Sequence, residues 1–143
     1  MADVFDRETR SRVMARVRGE DTKPELLVRK WLYAKGYRYR VHRRDLPGKP
    51  DIVLSRLRTA VFVNGCFWHG HTRCSHSALP VTNQRYWRQK IERTVRRDRR
   101  NAQRLRHLGW HVVTVWECRI KEDSYLTKRL LAPLKRLENK VER

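Results

Sequence analysis

The first part of the chain with regular periodicity has the apolar spacing and end signals of a helix. Thr22 is a typical N-cap, Pro24 suits a first turn, and Gly36 follows the last helical position. We therefore predict a helix between Thr22 and Gly36. Its buried face is predicted from apolar residues at helical spacing, which are Leu27, Trp31 and Ala34.

Strand periodicity follows the first helix. Residues 37–41 alternate apolar with basic side chains, which is typical of a half-buried strand. After a turn with Gly and Pro at 46–50, residues 51–54 and 59–63 predict two strands joined by a short polar link. Residues 112–116 form the most apolar strand. Because a helix precedes this strand, we expect it inside a mixed sheet.

Two more helices complete the predicted fold. Asn83 can cap a long helix that ends at Leu108, before Gly109. A final helix is expected over residues 124–140, with a kink at Pro133. The order α-β-β-β-α-β-α predicts an α/β fold in which a mixed central sheet is flanked by helices.

Charge restricts the class of partner. The 143 residues include 35 Lys and Arg, 26 of them Arg, against 15 Asp and Glu, so the net charge is +20. This charge balance indicates a polyanionic partner, and the excess of Arg suits bidentate contacts to phosphates and base edges. No apolar run approaches the roughly 20 residues of a membrane-spanning helix, and residues 1–6 do not resemble a signal peptide. We therefore expect an intracellular nucleic-acid-binding protein.

The length fits a single domain, residues 1–143, without repeats or linkers. Residues 1–21 are polar and Arg-rich, which predicts a basic arm that orders on DNA, although a frayed terminus would have the same composition. Residues 22–120 form the core that carries the candidate site. Residues 121–143 form a C-terminal helical tail.

Cysteine and histidine residues cluster between predicted elements. Two of each fall within nine residues after strand 59–63, and a third cysteine follows strand 112–116. An odd number of cysteines argues against a secreted disulfide framework, whereas three cysteines and one histidine are a common ligand set for structural zinc. The alternative is that Cys66 and Cys118 are small core residues. The candidate ligands are Cys66, Cys74 and Cys118 with His69, His71 or His76.

Three acidic residues occupy positions that need an explanation. Asp98 lies on the apolar stripe of the long helix, where an unpaired carboxylate would cost on the order of several kcal/mol. It must face a cation, a metal or a histidine, either as a structural ion pair or to orient a catalytic imidazole. Asp51 follows Pro50 at the start of a predicted strand, and it either caps the turn or binds Mg2+. Glu25, three residues after Thr22, completes a capping box.

A series of motifs occurs in order over about residues 1–120. They are Met1-Ala2-Asp3, Thr9-Arg10-Ser11, Leu46-Pro47-Gly48-Lys49-Pro50-Asp51, Val61-Phe62-Val63, Gly65-Cys66-Phe67-Trp68-His69, Trp87 with Lys90-Ile91, Arg97-Asp98-Arg99-Arg100, Leu108-Gly109-Trp110 and Val115-Trp116-Glu117-Cys118. Together they resemble the very short patch repair mismatch endonucleases. This bacterial family nicks DNA at T·G mismatches left by deamination of 5-methylcytosine.

The resemblance implies a restriction-endonuclease-like core and a role for each residue singled out above. Asp51 would bind Mg2+, and Glu25 would contact the waters of that ion. His69 would act as the general base, supported by Asp98. The zinc ligands would be Cys66, His71, Cys74 and Cys118.

The chain departs from two expected patterns. Restriction-type cores usually carry Glu-x-Lys on the strand after the Asp, whereas this chain has Val61-Phe62-Val63, as is expected for this family. Well-known members have a second active-site histidine where this chain has Asn64. Asparagine can hold a water or a phosphate oxygen but cannot shuttle a proton near neutral pH, so Asn64 is expected only as a neighbour of the site.

Aromatic residues predict the mode of recognition. Phe67 and Trp68 are consecutive in a polar loop, and Trp87 begins the basic helix. They could be core residues, but the family implies that they form a wedge inserted beside the mismatch. Unstacking costs a few kcal/mol and least at a mispair, so the wedge itself would discriminate. Met14 on the arm would brace the opposite groove.

The resemblance therefore implies a Mg2+-dependent, zinc-stabilised endonuclease that nicks double-stranded DNA at a T·G mismatch. We expect a monomer in the bacterial cytoplasm, at the nucleoid, linked to a DNA cytosine-5 methyltransferase and a repair polymerase. One alternative is a non-catalytic zinc-stabilised DNA-binding module, which would not need Asp51, His69 and Asp98 together. Another is a nuclease that cuts both strands of paired DNA.

Overall fold

The computed structural model describes residues 21–141, which form three strands and several helices. Helix α1 spans Lys23–Ala34, strand β1 Ile52–Leu54, strand β2 Thr59–Asn64, helix α2 Gln84–His107 and strand β3 His111–Trp116. The C-terminal part consists of α3 (Asp123–Leu126), a π-helical segment (Thr127–Leu131) and α4 (Ala132–Val141). The predicted basic arm, apart from Asp21, and Met14 within it lie outside the described residues.

The three strands form one mixed sheet in the order β1-β2-β3. Strands β1 and β2 pair antiparallel, with Ile52 opposite Val61, and are joined by a 3-10 turn at Ser55–Leu57. Strands β2 and β3 pair parallel from Thr59↔His111 to Asn64↔Trp116, and α2 provides the crossover between them. The predicted mixed sheet flanked by helices is confirmed.

The predicted interior place of β3 is wrong, because within residues 21–141 this strand lies at one edge and β2 is central. The C-terminal helices compensate for the missing neighbour. Arg129 donates from Nη2 to the Thr114 carbonyl oxygen at 2.7 Å, and the Trp116 amide donates to the Tyr125 hydroxyl at 3.0 Å. Side chains from the tail thus bond to edge backbone groups that another strand would otherwise pair.

Each face of the sheet has its own apolar core. Ile52 and Leu54 point to one face, and Val53 points to the other, as alternation along a strand requires. The first face packs against α1 and the C-terminal helices through Val28, Leu32, Tyr125, Leu126, Leu130 and Leu134. The second face packs against Leu105 of α2 and against Trp110. Burial on both faces explains why β1 is apolar at every position.

Helix α1 has the predicted ends but not the predicted buried face. Thr22 is its N-cap and Gly36 follows its C-cap with φ of 93°. Leu27 is 38% exposed, Ala34 is exposed and Trp31 is half-buried. The apolar spacing predicted the wrong buried face, because the face of this helix that packs inward also includes an acidic and a basic residue. The buried residues are Glu25, Val28, Arg29 and Leu32.

Residues 37–41 do not form the predicted strand. Arg40 makes one isolated bridge with Val53, through two backbone hydrogen bonds of 2.8 and 2.9 Å. His42 then adopts φ of 58°, in the left-handed region, and so ends the extended conformation. The predicted alternation is nevertheless present, since Tyr37 is buried and Arg38 is exposed.

The long helix and the tail match their predicted positions with local differences. Asn83 precedes α2, but among the described residues its side chain makes no capping hydrogen bond, and its φ is 59°. The tail is irregular before Pro133, where the π-helical segment replaces the predicted simple kink. Over residues 21–141, none of the helices has both the length and the apolar character to cross a membrane.

Candidate active site and metal centre

The start of β1 and the end of β2 lie side by side and open into one broad groove. Asp51 immediately precedes β1, and its amide donates to the Val61 carbonyl oxygen at 3.1 Å. Its carboxylate Oδ2 accepts the Val63 amide at 2.7 Å, which fixes the side chain across the hairpin. The carboxylate of Asp51 therefore lies where β1 begins and β2 ends, and it does more than cap the preceding Gly- and Pro-containing turn.

A second carboxylate faces the first. Glu25, in the first turn of α1, is 5% exposed and is close enough to share a hydrogen bond with Asp51. Burial raises the pKa of Asp51 to about 7; the Val63 amide opposes this shift and the charge of Glu25 adds to it. Two neighbouring carboxylates, of which that of Glu25 is buried, offer the oxygen ligands that suit a divalent cation such as Mg2+.

The capping role predicted for Glu25 is present in modified form. Thr22 Oγ1 accepts the Glu25 amide at 3.4 Å, as in a capping box. The carboxylate, however, accepts the amide of Asp21 at 3.1 Å instead of that of Thr22. The same carboxylate therefore contributes to the cap and faces the groove.

An imidazole and a carboxylate line the same groove. His69, on the loop after β2, contacts Asp98 of α2, with Nδ1 and Oδ2 2.7 Å apart. Both side chains are partly exposed, at 26% and 33%. The stripe on which Asp98 lies is half-buried or buried as predicted, and the carboxylate faces a histidine there rather than a structural arginine or lysine.

The loop that carries His69 packs closely on α2 because of one glycine. Gly70 has φ of 61°, and a Cβ at this position would lie 2.8 Å from Ile91 Cγ2 and 3.1 Å from Val95 Cγ2. A larger residue would push the loop away from the helix. Gly70 thereby sets the distance over which His69 and Asp98 meet.

Asn64 is a neighbour of both pairs of residues. It ends β2, is 7% exposed, and lines the groove together with Asp51, His69 and Asp98. It also borders a small cavity under α2, which Asn101 and Thr114 line as well. Its amide can therefore hold a water or a phosphate oxygen at the floor of the groove.

A second cluster lies on the far side of the same loop. The candidate ligand atoms of Cys66, His71, Cys74 and Cys118 all lie within 4.8 Å of one another. In a tetrahedral zinc site with Zn–S of about 2.3 Å, sulfur atoms are about 3.8 Å apart, so small side-chain rotations would complete the geometry. His69 is bound to Asp98 instead, and His76 Nδ1 lies 3.7 Å from Cys74 Sγ at the margin of the group.

The cluster has the chemistry of a metal site. Burial raises the pKa of Cys66 to about 12 and also raises that of Cys118. Burial would raise the pKa of Cys74 too, but hydrogen bonds led by His76 outweigh it and lower this pKa to about 6. Three adjacent thiols cannot all ionise without a cation among them. Trp116 stacks on the His71 ring at 4.1 Å and holds the imidazole in the cluster.

The three predicted wedge residues form one aromatic cluster beside the groove. Ring centroids lie 5.1 Å apart for Phe67 and Trp68, 5.5 Å for Phe67 and Trp87, and 5.8 Å for Trp68 and Trp87. All three are half-buried, so they are neither core residues nor fully exposed. Two further residues extend the cluster: Tyr86, which is 54% exposed, and Lys90, whose ammonium lies 5.7 Å from the Trp68 ring centre.

Sequence comparison decides the family. Residues 2–76, more than half of the chain, match the family described as DNA mismatch endonuclease Vsr. The chain belongs to the DNA mismatch endonuclease Vsr family. It is thus a DNA endonuclease, as the sequence resemblance implies.

Individual Vsr relatives are similar over nearly the whole chain. Identity is 42% over 135 residues with the DNA mismatch endonuclease Vsr of Escherichia coli K12, covering 91% of this chain and 86% of that protein. It is 40% over 141 residues with the type II nicking enzyme V.NmeAIP of Neisseria meningitidis serogroup A, covering 99% and 100%. It is 45% over 130 residues with the type II nicking enzyme V.XorIIP of Xanthomonas oryzae, covering 91% and 95%.

Several residues of this Vsr site were assigned no role from the sequence, although some of them belong to the motifs of the family. Arg29 contacts Glu25, and Lys90, Thr94 and Arg97 of α2 line the groove with Glu117. Spacing gives a signal for two of them, since Arg29 lies four residues after Glu25 and Lys90 three after Trp87. In a chain with 35 basic residues, this spacing alone does not distinguish a site residue from a solvated one.

Proposed function

We propose that this Vsr family endonuclease nicks one strand of duplex DNA beside a T·G mispair in a Mg2+-dependent reaction. The observation that carries the proposal is the convergence of two residue pairs, Glu25–Asp51 and His69–Asp98, on one groove. Phosphodiester hydrolysis needs an activated water, charge neutralisation and a stabilised leaving oxygen. The two pairs offer groups for these tasks.

In this proposal Asp51 binds the cation directly, and Glu25 contacts the waters of that ion. Mg2+, when bound, supplies positive charge to the scissile phosphate and the leaving oxygen. The raised pKa of Asp51 supports the assignment, because a dication would remove the repulsion and the unfavourable burial that raise it. Asn64 holds a water or phosphate oxygen beside these carboxylates.

His69 removes the proton from the attacking water. With Nδ1–H donated to Asp98, the lone pair on Nε2 is available to accept that proton. Asp98 fixes the ring orientation and stabilises the imidazolium that results. This use of both residues separates the proposal from a non-catalytic DNA-binding module, which would have no need of the pair.

The cysteine cluster holds a structural Zn2+ in this proposal. Cys66, His71, Cys74 and Cys118 would take all four positions, and no position would be left for water. The ion would link the loop after β2 to Cys118, which lies just after β3. Because His69 lies on that loop, the metal acts on catalysis only through the position of the loop.

Recognition rests on the aromatic cluster and the basic surface. Phe67, Trp68 and Trp87 insert beside the mispair, where unstacking costs least, and Met14 acts from the opposite groove. A T·G mispair arises when 5-methylcytosine deaminates, so the enzyme would serve DNA modified by a cytosine-5 methyltransferase, ahead of a repair polymerase. One active site suffices for one nick, which suits a monomer in the bacterial cytoplasm, at the nucleoid.

The test is cleavage of duplexes labelled on each strand, with T·G, with other mispairs and with perfect pairs, in the presence and absence of Mg2+. The proposal predicts one nick, in the strand with the mispaired thymine or its partner but not in both, only with T·G and Mg2+. Cuts in both strands of paired DNA would assign the other kind of nuclease. Binding without any cleavage would assign a non-catalytic module.

A further inference from the structure

Arg29 is a buried cation one helical turn after Glu25. It is 9% exposed, and its guanidinium bonds two carboxylates. Nη2 donates to Glu25 Oε2 at 3.2 Å, and Nη1 lies 2.7 Å from Asp21 Oδ1. Asp21 also lies 3.1 Å from His42 Nε2, so a chain of polar contacts runs from the surface to the groove.

Packing does not explain an arginine at this position. Among residues 21–141, Arg29 Nε is buried without a hydrogen-bond partner. Burying a guanidinium with one donor unpaired is costly, and an apolar side chain of similar size would fill the space with less desolvation. The positive charge itself therefore needs a reason, and one is the buried carboxylate of Glu25, which shares a hydrogen bond with Asp51.

Two donors meet on the same oxygen of Glu25. Arg29 Nη2 and the Asp21 amide both bond Oε2, at 3.2 and 3.1 Å. That oxygen is committed to the protein, and Oε1 is left to serve the groove. The two bonds also fix the plane of the carboxylate beside Asp51.

We propose that Arg29 is a positioning residue for nicking, which holds the carboxylate of Glu25 turned toward Asp51. The inference rests on the proposed function of Glu25 at the cation site. Arg29 itself touches neither substrate nor cation. Asp21, whose side chain is 53% exposed, is an outer partner of the guanidinium and contributes little.

The test compares Arg29→Met, Arg29→Lys, Glu25→Gln and the double variant E25Q/R29M with a matched control. Arg38→Met is the control, because Arg38 is a nearby exposed arginine that stacks on Tyr33. Three quantities are measured on zinc-loaded protein: the single-turnover nicking rate on a T·G duplex, Mn2+ binding by electron paramagnetic resonance without DNA, and the melting temperature.

Loss of an outer partner of a metal site typically costs 10- to 100-fold. We expect R29M to lose about this much in nicking rate and in Mn2+ affinity, R29K to recover part of it, and R38M to match the wild type. In the E25Q background, R29M should change the rate by less than about threefold, because both changes remove one function.

Two results would overturn the inference: wild-type nicking and Mn2+ binding by R29M, or losses from R29M and E25Q that multiply. If R29M melts too low for assay, E25Q/R29M should melt higher than R29M, because it no longer buries an uncompensated carboxylate. A double variant that melts no higher would make Arg29 purely structural. A wild-type protein that nicks no mispair would count against the proposed function instead, and the Mn2+ and melting measurements would still test Arg29.

Discussion

At the scale of single residues, Asp51 has the most perturbed acid group of the groove. Its carboxyl has a folded-state pKa of about 7 against an ordinary value of 3.8, mainly because of burial. Between these two values the unfolded chain has released the proton and the metal-free folded chain still holds it. The contribution of Asp51 to the free energy of unfolding therefore falls as pH rises from about 4 to about 7, and it is level above that range.

This sign predicts how Asp51→Asn changes the stability of the metal-free protein. The variant should gain stability over the wild type by on the order of a few kcal/mol at pH 8, and the gain should shrink toward pH 4. The measurement is the free energy of unfolding by urea as a function of pH. Asp45→Asn is the control, because Arg43 lowers the pKa of this exposed carboxyl, whereas burial raises that of Asp51. A pH-independent difference between D51N and wild type would contradict the account.

Single residues were predictable where their local context was unusual. An acid on an apolar helical stripe required a polar partner, and Asp98 has one in His69. The spacing of histidines left the metal ligand open; the family resemblance implied His71, and the fold places His71 beside the cysteines and His69 beside Asp98. Arg29 had no unusual context, because its burial follows from the rotation of α1, which apolar spacing misjudged.

At the scale of elements, the loop between β2 and α2 joins three tasks. It carries His69, three of the four candidate metal ligands (Cys66, His71 and Cys74), and two predicted wedge aromatics that lie between Cys66 and His69. Its backbone turns tightly, with the His71 amide donating to the Cys66 carbonyl oxygen at 2.9 Å. We therefore expect the metal to stabilise the catalytic and the recognition residues together.

Removal of one ligand should release this loop. Cys74→Ser is expected to lose bound zinc and at least about 3 kcal/mol of unfolding free energy, because loss of a metal is among the largest single effects. Ser75→Ala, at the next position, should keep both. The measurements are zinc content by mass spectrometry and thermal melting with and without a chelator. Native melting of a chelated wild-type protein would show that the cluster is not a structural metal site.

The aromatic cluster should discriminate a T·G mispair from paired DNA, rather than only add to the affinity for any duplex. Replacing both Phe67 and Trp68 with Ala should reduce the ratio of T·G to paired-duplex affinity about tenfold or more, since stacking contributes roughly 1–3 kcal/mol per base. Tyr33→Ala removes an exposed aromatic residue on α1 as the control. The ratio is measured by fluorescence anisotropy. An unchanged ratio in the double variant would rule out the wedge.

Elements were predictable when their signals were local. Capping residues predicted the ends of α1, and apolar runs predicted the ends of β1 and β2 within one or two residues. The order of strands depends on tertiary contacts: β3 looks like an interior strand because helices cover both faces, and Arg129 bonds its free edge. The left-handed φ of His42 ends the pairing at Arg40, which alternation alone could not reveal.

At the scale of the whole molecule, a net charge of +20 sets the dependence of DNA binding on salt. Each phosphate contact should add about 0.9 to the slope of log Kd against log salt concentration. Arg97→Gln, in the groove, should lower that slope by about one, whereas Arg136→Gln on α4 should not. Equal slopes for the wild type and R97Q would remove Arg97 from the DNA interface.

The central claim is that Asp51 and His69, which line one groove, act on the same phosphorus. The most direct measurement is the single-turnover nicking rate of Asp51→Ala and His69→Ala on a T·G duplex, with DNA affinity determined for each variant. The account predicts that each nicks at least about 100-fold more slowly while its affinity stays within about threefold of the wild type. Cleavage at the wild-type rate by either variant would contradict it.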